Sequence, residues 1–274
     1  MTPPFTPEGD RYDMSPLAFF YKAEQRALPD ETKRKARLAY AASISYMDAQ
    51  FGRLLDALER LDLDDKTVVV FTSDHGYHMG EHHHWQKQAL YEESARVPLI
   101  IAPPRCESAG TTSNAVCESI DIYPTLAELC GLPAPDHLDG VSLVPQIEEP
   151  ELDGKGFALT QSLRYKNRRV GDGEKMLRDV HGYSLRTDRY RYMHWYGGPD
   201  TPWIVNDDLE VAPLALGEED ARAHAPKEPV FEALYDHETD PGEFTNLADD
   251  PEYLTVLQSL RDQLEALTPG RPEP

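Results

Sequence analysis

Thr67-Val68-Val69-Val70-Phe71-Thr72-Ser73-Asp74-His75-Gly76 is the stretch whose reading decides the fold. Its first half is a continuous β-branched and aromatic run, the composition of a strand buried on both faces of a parallel sheet. Its second half presents a carboxylate, an imidazole and a glycine just past the strand's carboxyl end, where open α/β sheets place their ligand sites. A polar turn that merely closes the strand would read the same on these residues alone. Upstream, Asp30 follows Pro29 as an N-cap, and Ile44, Met47, Phe51, Leu54 and Leu58 recur at helical spacing to about Leu61, so a long helix should lay that stripe on the sheet. Downstream, Val97-Pro98-Leu99-Ile100-Ile101-Ala102 reads as a second strand, and Asp121 to Cys130 as a short helix closed by Gly131. The order is that of an α/β domain.

Past about Pro150 the character changes. Tyr183-Ser184-Leu185-Arg186 and Tyr190 to Tyr196 alternate as half-exposed antiparallel strands do, and Leu254, Leu257, Leu260, Leu264 and Leu267 form one helical stripe near the end. The expected organisation is an α/β domain portion over 1–165 and a smaller antiparallel α+β subdomain over 166–274. The acidic, Pro-rich stretch from Pro199 to Pro229 reads as a loop insertion.

At 274 residues with a formal net charge of −22, the chain has ample material for a core and a surface that disfavours nucleic acid and anionic membranes. No apolar run is long enough to span a bilayer. The three cysteines, Cys106, Cys117 and Cys130, fit neither a disulfide framework nor a zinc knot. An anionic substrate remains compatible with this charge wherever a metal and basic side chains converge locally.

Such a convergence follows Gly76. His78-Met79-Gly80-Glu81-His82-His83-His84-Trp85-Gln86-Lys87 places four of the ten histidines and a lysine in one loop. Lys87 could hold a sulfate or phosphate oxygen as a point charge, although a solvated loop lysine is the commoner fate. Asp74 and His75 are candidate metal ligands. His78, Glu81 and His82 have the spacing of a helical zinc pair, but Gly80 breaks the turn and the order is not that of a helical zinc motif, so these side chains are expected at the rim. Tyr77, His78 and Trp85 would shape the pocket, with Tyr196 or Trp203 approaching it, unless they are simply packed aromatics.

The pattern from Tyr40 through Asp48, Phe71 to Gly76 and Glu92 to Ile100 resembles the sulfatase family, nearest its iduronate-2-sulfatase-like branch. The similarity continues through Asp121 to Leu126, Tyr183 to Thr187, Leu234-Tyr235-Asp236, Asp240-Pro241 and Asn246-Leu247. The resemblance implies an alkaline-phosphatase-like α/β fold, a sulfuric ester hydrolase acting on a sulfated carbohydrate, a calcium-type divalent ion and a formylglycine nucleophile. By position it implies Asp74 and His75 as metal ligands and Lys87 as a sulfate contact, with His75 alternatively a hydrogen-bonding group to the sulfate or leaving group. Catalytic roles would fall to Lys87 and His75, and substrate contacts to Lys87, Tyr77, His78 and Trp85. The resemblance also implies an exported protein, periplasmic or extracellular.

One family element does not match. The nucleophile motif (Cys or Ser, any residue, Pro or Ala, any residue, Arg) is not found at Cys106, Cys117, Cys130 or any serine. The family's paired aspartates have only a weak echo in Ile204-Val205-Asn206-Asp207-Asp208-Leu209. The expectation is therefore a C-terminal part, inactive alone, whose partner is the N-terminal half. Phosphate or phosphonate ester hydrolysis on the same fold, and a non-catalytic protein that binds sulfated sugars, are the other readings.

Overall fold

The computed structural model describes residues 3–7, 10, 14, 28–170, 174–196 and 232–268, with backbone alone at 164–170 and 174–180. The chain divides into two compact units. The first comprises residues 30–74 and 97–158. The second comprises 2–29, 75–96 and 159–274. Where the sequence suggests one boundary after 165, the histidine-rich loop is instead counted with the second unit.

In the first unit, helix α1 runs Asp30–Arg60, opening with Asp30 and Glu31 and closing on Arg60, the charge order that complements the helix dipole. The helix stops at Asp62, whose φ of 53° turns the chain left-handed while the Leu63 amide reaches back to the Leu58 carbonyl at 3.0 Å. The stripe expected to lie on a sheet is only partly covered. Phe51 meets Phe71 at 5.1 Å between ring centroids, but Ile44, Met47 and Leu54 are exposed, Leu54 by 64%.

Strand β1 (Val69–Thr72) is the predicted strand, shortened at its start. In this chain it pairs with β4 (Leu99–Ala102), and the pairing is antiparallel, Val69 opposite Ala102 and Thr72 opposite Leu99. The parallel neighbour that the continuous apolar run suggests is not seen among the described residues. Residues 73–98, which join the two strands, hold a short antiparallel hairpin (His78–Met79 with Trp85–Gln86) and the four-residue helix α2 (Glu92–Ala95) rather than the long helix that usually carries a parallel crossover. With one described neighbour, the pair is also only half-buried, Ile100 being 56% exposed.

Helix α3 (Ile122–Leu129) is closed by Gly131 at φ +66°, as the sequence indicates. Its start is fixed by Asp121, fully buried, whose carboxylate accepts from the Glu118 and Val141 amides and pairs with Lys155 Nζ at 2.8 Å. Thr125 Oγ1 donates to the Asp121 carbonyl and accepts from the Leu143 amide, joining α3 to the segment leading into α4 (Val144–Glu148). Every buried polar group named here is paired, as low-dielectric surroundings require.

The second unit holds a four-stranded sheet in the order β5 (Ala158–Val170), β6 (Glu174–Arg186), β7 (Tyr190–Tyr196), β8 (Glu232–Asp236). β6, β7 and β8 are antiparallel neighbours, with Leu185 opposite Tyr192 and Tyr192 opposite Leu234. Gly182 lies opposite Trp195, and a Cβ there would fall 2.2 Å from the indole, so the glycine leaves the ring its space. Helix α5 (Leu254–Leu267) buries Leu257, Leu260 and Leu264, while Leu254 at the end of the expected stripe is 55% exposed. Arg261 clamps Glu232, tying α5 to the edge of the sheet. A core of Met14, Ala89, Leu90, Tyr91, Met193, Trp195, Ala233 and Tyr235 connects this sheet to the loop that carries the candidate site.

Candidate functional site

Thr72 ends β1, and the chain then enters Ser73-Asp74-His75-Gly76. Asp74 is exposed at the end of the first unit's segment, and His75 is the first residue of the next. His75 Nδ1 lies 2.7 Å from the Gly76 carbonyl, and His75 Nε2 lies 2.7 Å from Lys87 Nζ. The carbonyl accepts only, so Nδ1 carries the proton and Nε2 accepts from the lysine ammonium. Lys87 itself is exposed and keeps two further N–H donors. The pairing brings together two of the residues singled out in the sequence, twelve positions apart.

Gly76 is held by space rather than by a special backbone angle. Its amide donates to the Ser94 carbonyl at 2.9 Å, and a Cβ would lie 2.0 Å from the Glu93 carbonyl oxygen and 2.9 Å from that of Arg96. The glycine is required by this close backbone approach. That approach seats the His75 segment on α2, and Ser94 Oγ in turn donates to the Lys87 carbonyl at 2.8 Å. Both members of the His75–Lys87 pair are thus fixed to one short helix.

The loop between them is wound tightly. β2 (His78–Met79) and β3 (Trp85–Gln86) pair antiparallel, and the turn between them needs positive φ at Gly80, His82 and His83, with Gln86 positive as well. Non-glycine residues in that region cost energy that the surroundings must repay. Here burial of neighbouring rings in the loop offsets it: His78 and His82 are fully buried, His84 is 1% exposed and Trp85 7%. Of the residues expected at the rim, His78 and His82 are instead buried in the second unit and Glu81 is half-buried, because winding the loop turns the two imidazoles inward. Tyr77 is half-buried. Tyr196 is buried and stacks on His194 at 4.0 Å, a packed aromatic. Trp203 and Ile204 to Leu209 lie outside the described residues.

Sequence reasoning misses the ionic core behind α2. Arg191, 2% exposed, ion-pairs with Glu92 and Glu243 and donates to Ser184 Oγ at 2.8 Å and the Leu90 carbonyl at 3.2 Å. Burial works to raise the Glu243 carboxyl, but Arg191 and His237 outweigh it and hold it down to about 2. Among side chains, Glu93 has only His82 to oppose its burial, which pushes its carboxyl up to about 7. The only sequence signal for this arrangement is a run of acids, Glu92-Glu93, where a solvated helix start would be the ordinary reading.

Among the described residues, two groups bring three metal-binding side chains close enough to share an ion: His82, Glu93 and Glu243, and Glu92, His237 and Glu243. Asp74 and His75 belong to neither. Calcium takes about six to eight oxygen ligands, and of this pair only Asp74 offers oxygen while His75 Nε2 is engaged by Lys87. These two residues alone do not make a calcium shell.

The family model for sulfatases matches residues 7–132, and the model described as N-sulphoglucosamine sulphohydrolase, C-terminal, matches residues 80–216. Mouse (Mus musculus) iduronate 2-sulfatase is 28% identical over 281 residues, covering 85% of this chain and 48% of that protein. A solved protein in complex with its substrate, D-glucosamine-2-N,6-O-disulfate, superposes with a TM-score of 0.60 at 27% identity, over 85% of this chain and 42% of its own. The phosphonate monoester hydrolase of Agrobacterium radiobacter superposes with a TM-score of 0.65 at 28% identity, over 87% of this chain and 42% of its own. The chain therefore spans less than half the length of each of these three proteins. With one family model covering its first part and a C-terminal model overlapping and extending it, this chain belongs to the sulfatase family.

Proposed function

We propose that this chain supplies the cationic arm of a sulfuric ester hydrolase acting on a sulfated carbohydrate. The observation that carries the reading is the Lys87–His75 pair, held at 2.7 Å beyond the end of β1 and fixed on both sides to α2. A fixed ammonium with two spare donors suits the oxygens of a sulfuryl group, whose negative charge grows on the leaving oxygen as the S–O bond breaks. His75, with Nδ1–H committed to the Gly76 carbonyl, orients Lys87 and passes its Nε2 hydrogen bond to a sulfate or leaving-group oxygen only once that nitrogen is protonated. Of the two roles that family resemblance allows His75, this geometry favours the hydrogen-bonding one over metal ligation. Asp74 remains the candidate oxygen ligand for a calcium-type divalent ion, which supplies Lewis-acid charge when bound. Its other ligands, and the nucleophile, would come from an N-terminal half.

The carbohydrate class rests on two relatives, the iduronate 2-sulfatase and the solved protein with a disulfated glucosamine as its substrate. The similarity to a phosphonate monoester hydrolase supports a second reading, a phosphorus ester in place of the sulfate. The test is ester cleavage by the protein expressed from its own locus, on 2-O-sulfated uronate disaccharides, 6-O-sulfated glucosamine and a phosphonate monoester. Sulfate release that Lys87→Met lowers by about 10²–10³ supports the sulfatase reading. Preferential cleavage of the phosphonate supports the second, and cleavage of neither class overturns both.

A further inference from the structure

Behind the His75–Lys87 pair, three side chains from the wound loop and α2 converge in the second unit. Glu93 Oε2 lies 3.9 Å from His82 Nε2 and 4.0 Å from His78 Nδ1, and it is a buried oxygen with no hydrogen-bond partner. A Glu243 carboxylate oxygen completes a trio with His82 and Glu93 whose donor atoms all lie within 4.8 Å of one another. On the far side of His82, the Asp10 carboxylate sits 3.2 Å from Nδ1. Asp10 accepts the Nδ1 proton, so Nε2, the nitrogen turned toward Glu93, is the one left to ligate an ion on giving up its proton. A carboxylate behind a histidine with the other ring nitrogen facing the donor cluster is the outer-shell arrangement of metal-binding imidazoles.

We propose that His78, His82 and Glu93 form a buried binding site for a zinc-class divalent ion, with Glu243 as an additional carboxylate beside it and Asp10 orienting His82. Two imidazoles with a carboxylate select a borderline transition ion over calcium or magnesium, which prefer all-oxygen shells. Tetrahedral bonds of about 2.0–2.1 Å put neighbouring donor atoms about 3.3 Å apart, so the two separations from Glu93, 3.9 Å to His82 and 4.0 Å to His78, close by roughly 0.6 Å on binding, with His78 swinging in toward the His82–Glu93–Glu243 group to which it does not yet belong. The second trio, Glu92, His237 and Glu243, is not such a site, because Arg191 already ion-pairs with both of its carboxylates. The site uses neither Asp74 nor His75 and goes beyond the proposed sulfatase chemistry. Its place is structural: it would lock the positive-φ residues of the loop and, through Glu93 on α2, the seat of His75 and Lys87.

The experiment uses the full chain, stripped with a chelating resin and titrated with cobalt(II), whose visible d–d bands report a low-coordinate nitrogen and oxygen shell. One equivalent should bind with those bands and be displaced by zinc. Glu93→Gln and His82→Asn should each weaken binding at least tenfold, with circular dichroism confirming that they fold. His78→Asn provides the same test if either does not. Asp74→Asn and His75→Asn should leave the bands unchanged, which separates this site from an ion at the proposed active centre. Absence of stoichiometric cobalt in the parent chain, or binding that survives both Glu93→Gln and His82→Asn, overturns the proposal.

Discussion

Gly76→Ala perturbs the seat of the candidate site with a single carbon atom. The new Cβ would lie 2.0 Å from the Glu93 carbonyl oxygen, where real Cβ contacts essentially never come under 3.0 Å, so something must move by at least 1.0 Å. All the nearest atoms are backbone, so no side chain can swing aside. Relief requires α2 and the His75 segment to separate, which also lengthens the Gly76 amide to Ser94 carbonyl bond beyond its present 2.9 Å. Overpacking of this kind costs about 1–3 kcal/mol and the lost hydrogen bond about 1 kcal/mol more. At about 2–4 °C per kcal/mol for a chain of this size, thermal unfolding followed by circular dichroism should show a Tm lower by roughly 5–15 °C. Gly52 is the control, since nothing lies within 4 Å of its Cβ position and it sits inside α1, so Gly52→Ala should be neutral or stabilising. A Gly76→Ala protein melting within 1 °C of the parent, taking that as about the error of such a measurement, would refute the close-approach account of the site.

Arg191→Met should destabilise the chain by about 3–5 kcal/mol in chemical denaturation, because Glu92 and Glu243 would lose the buried guanidinium they share; a loss under 1 kcal/mol would contradict that. Gly182→Ala should cost about 1–3 kcal/mol by driving a methyl into the Trp195 ring, visible as a shifted tryptophan emission as well as a lower denaturation midpoint. For Glu232, burial raises the carboxyl but His194, Arg261 and Tyr192 outweigh it, so its folded-state pKa is depressed. A depressed carboxylate stabilises above its ordinary value, near 4.5, and loses that contribution as pH falls below it. The melting gap between parent and Glu232→Gln should therefore be widest at neutral pH and shrink on acidification, and a gap independent of pH would count against the assignment.

Much of the scaffold was legible because local patterns carry it. Asp30 and the helical spacing of the apolar residues fixed α1, the apolar run gave β1, Gly131 closed α3, and the Tyr-rich alternation yielded β6 and β7. Strand direction was not legible, since a run of valines says that a strand is apolar and not which way its neighbour points. The wound loop misled for a related reason. Histidines in a polar, glycine-containing segment read as a rim, yet an imidazole also packs as an aromatic, and the residues that receive His82 include Asp10, 72 positions away, and Phe244. Lys87 and His75 were singled out by family position; what the sequence left unwritten was that Ser94 and the bare Cα of Gly76 tie both to α2.

The central claim is that the Lys87–His75 pair serves a sulfuryl group. The most direct measurement is sulfate release from a sulfated glucosamine or uronate oligosaccharide by the protein from its own locus, compared with its Lys87→Met variant at matched folding. The claim requires release by the parent and a fall of about 10²–10³ in kcat/KM for the variant, with Tm shifted by no more than an exposed substitution allows. Equal turnover by the two proteins would contradict it.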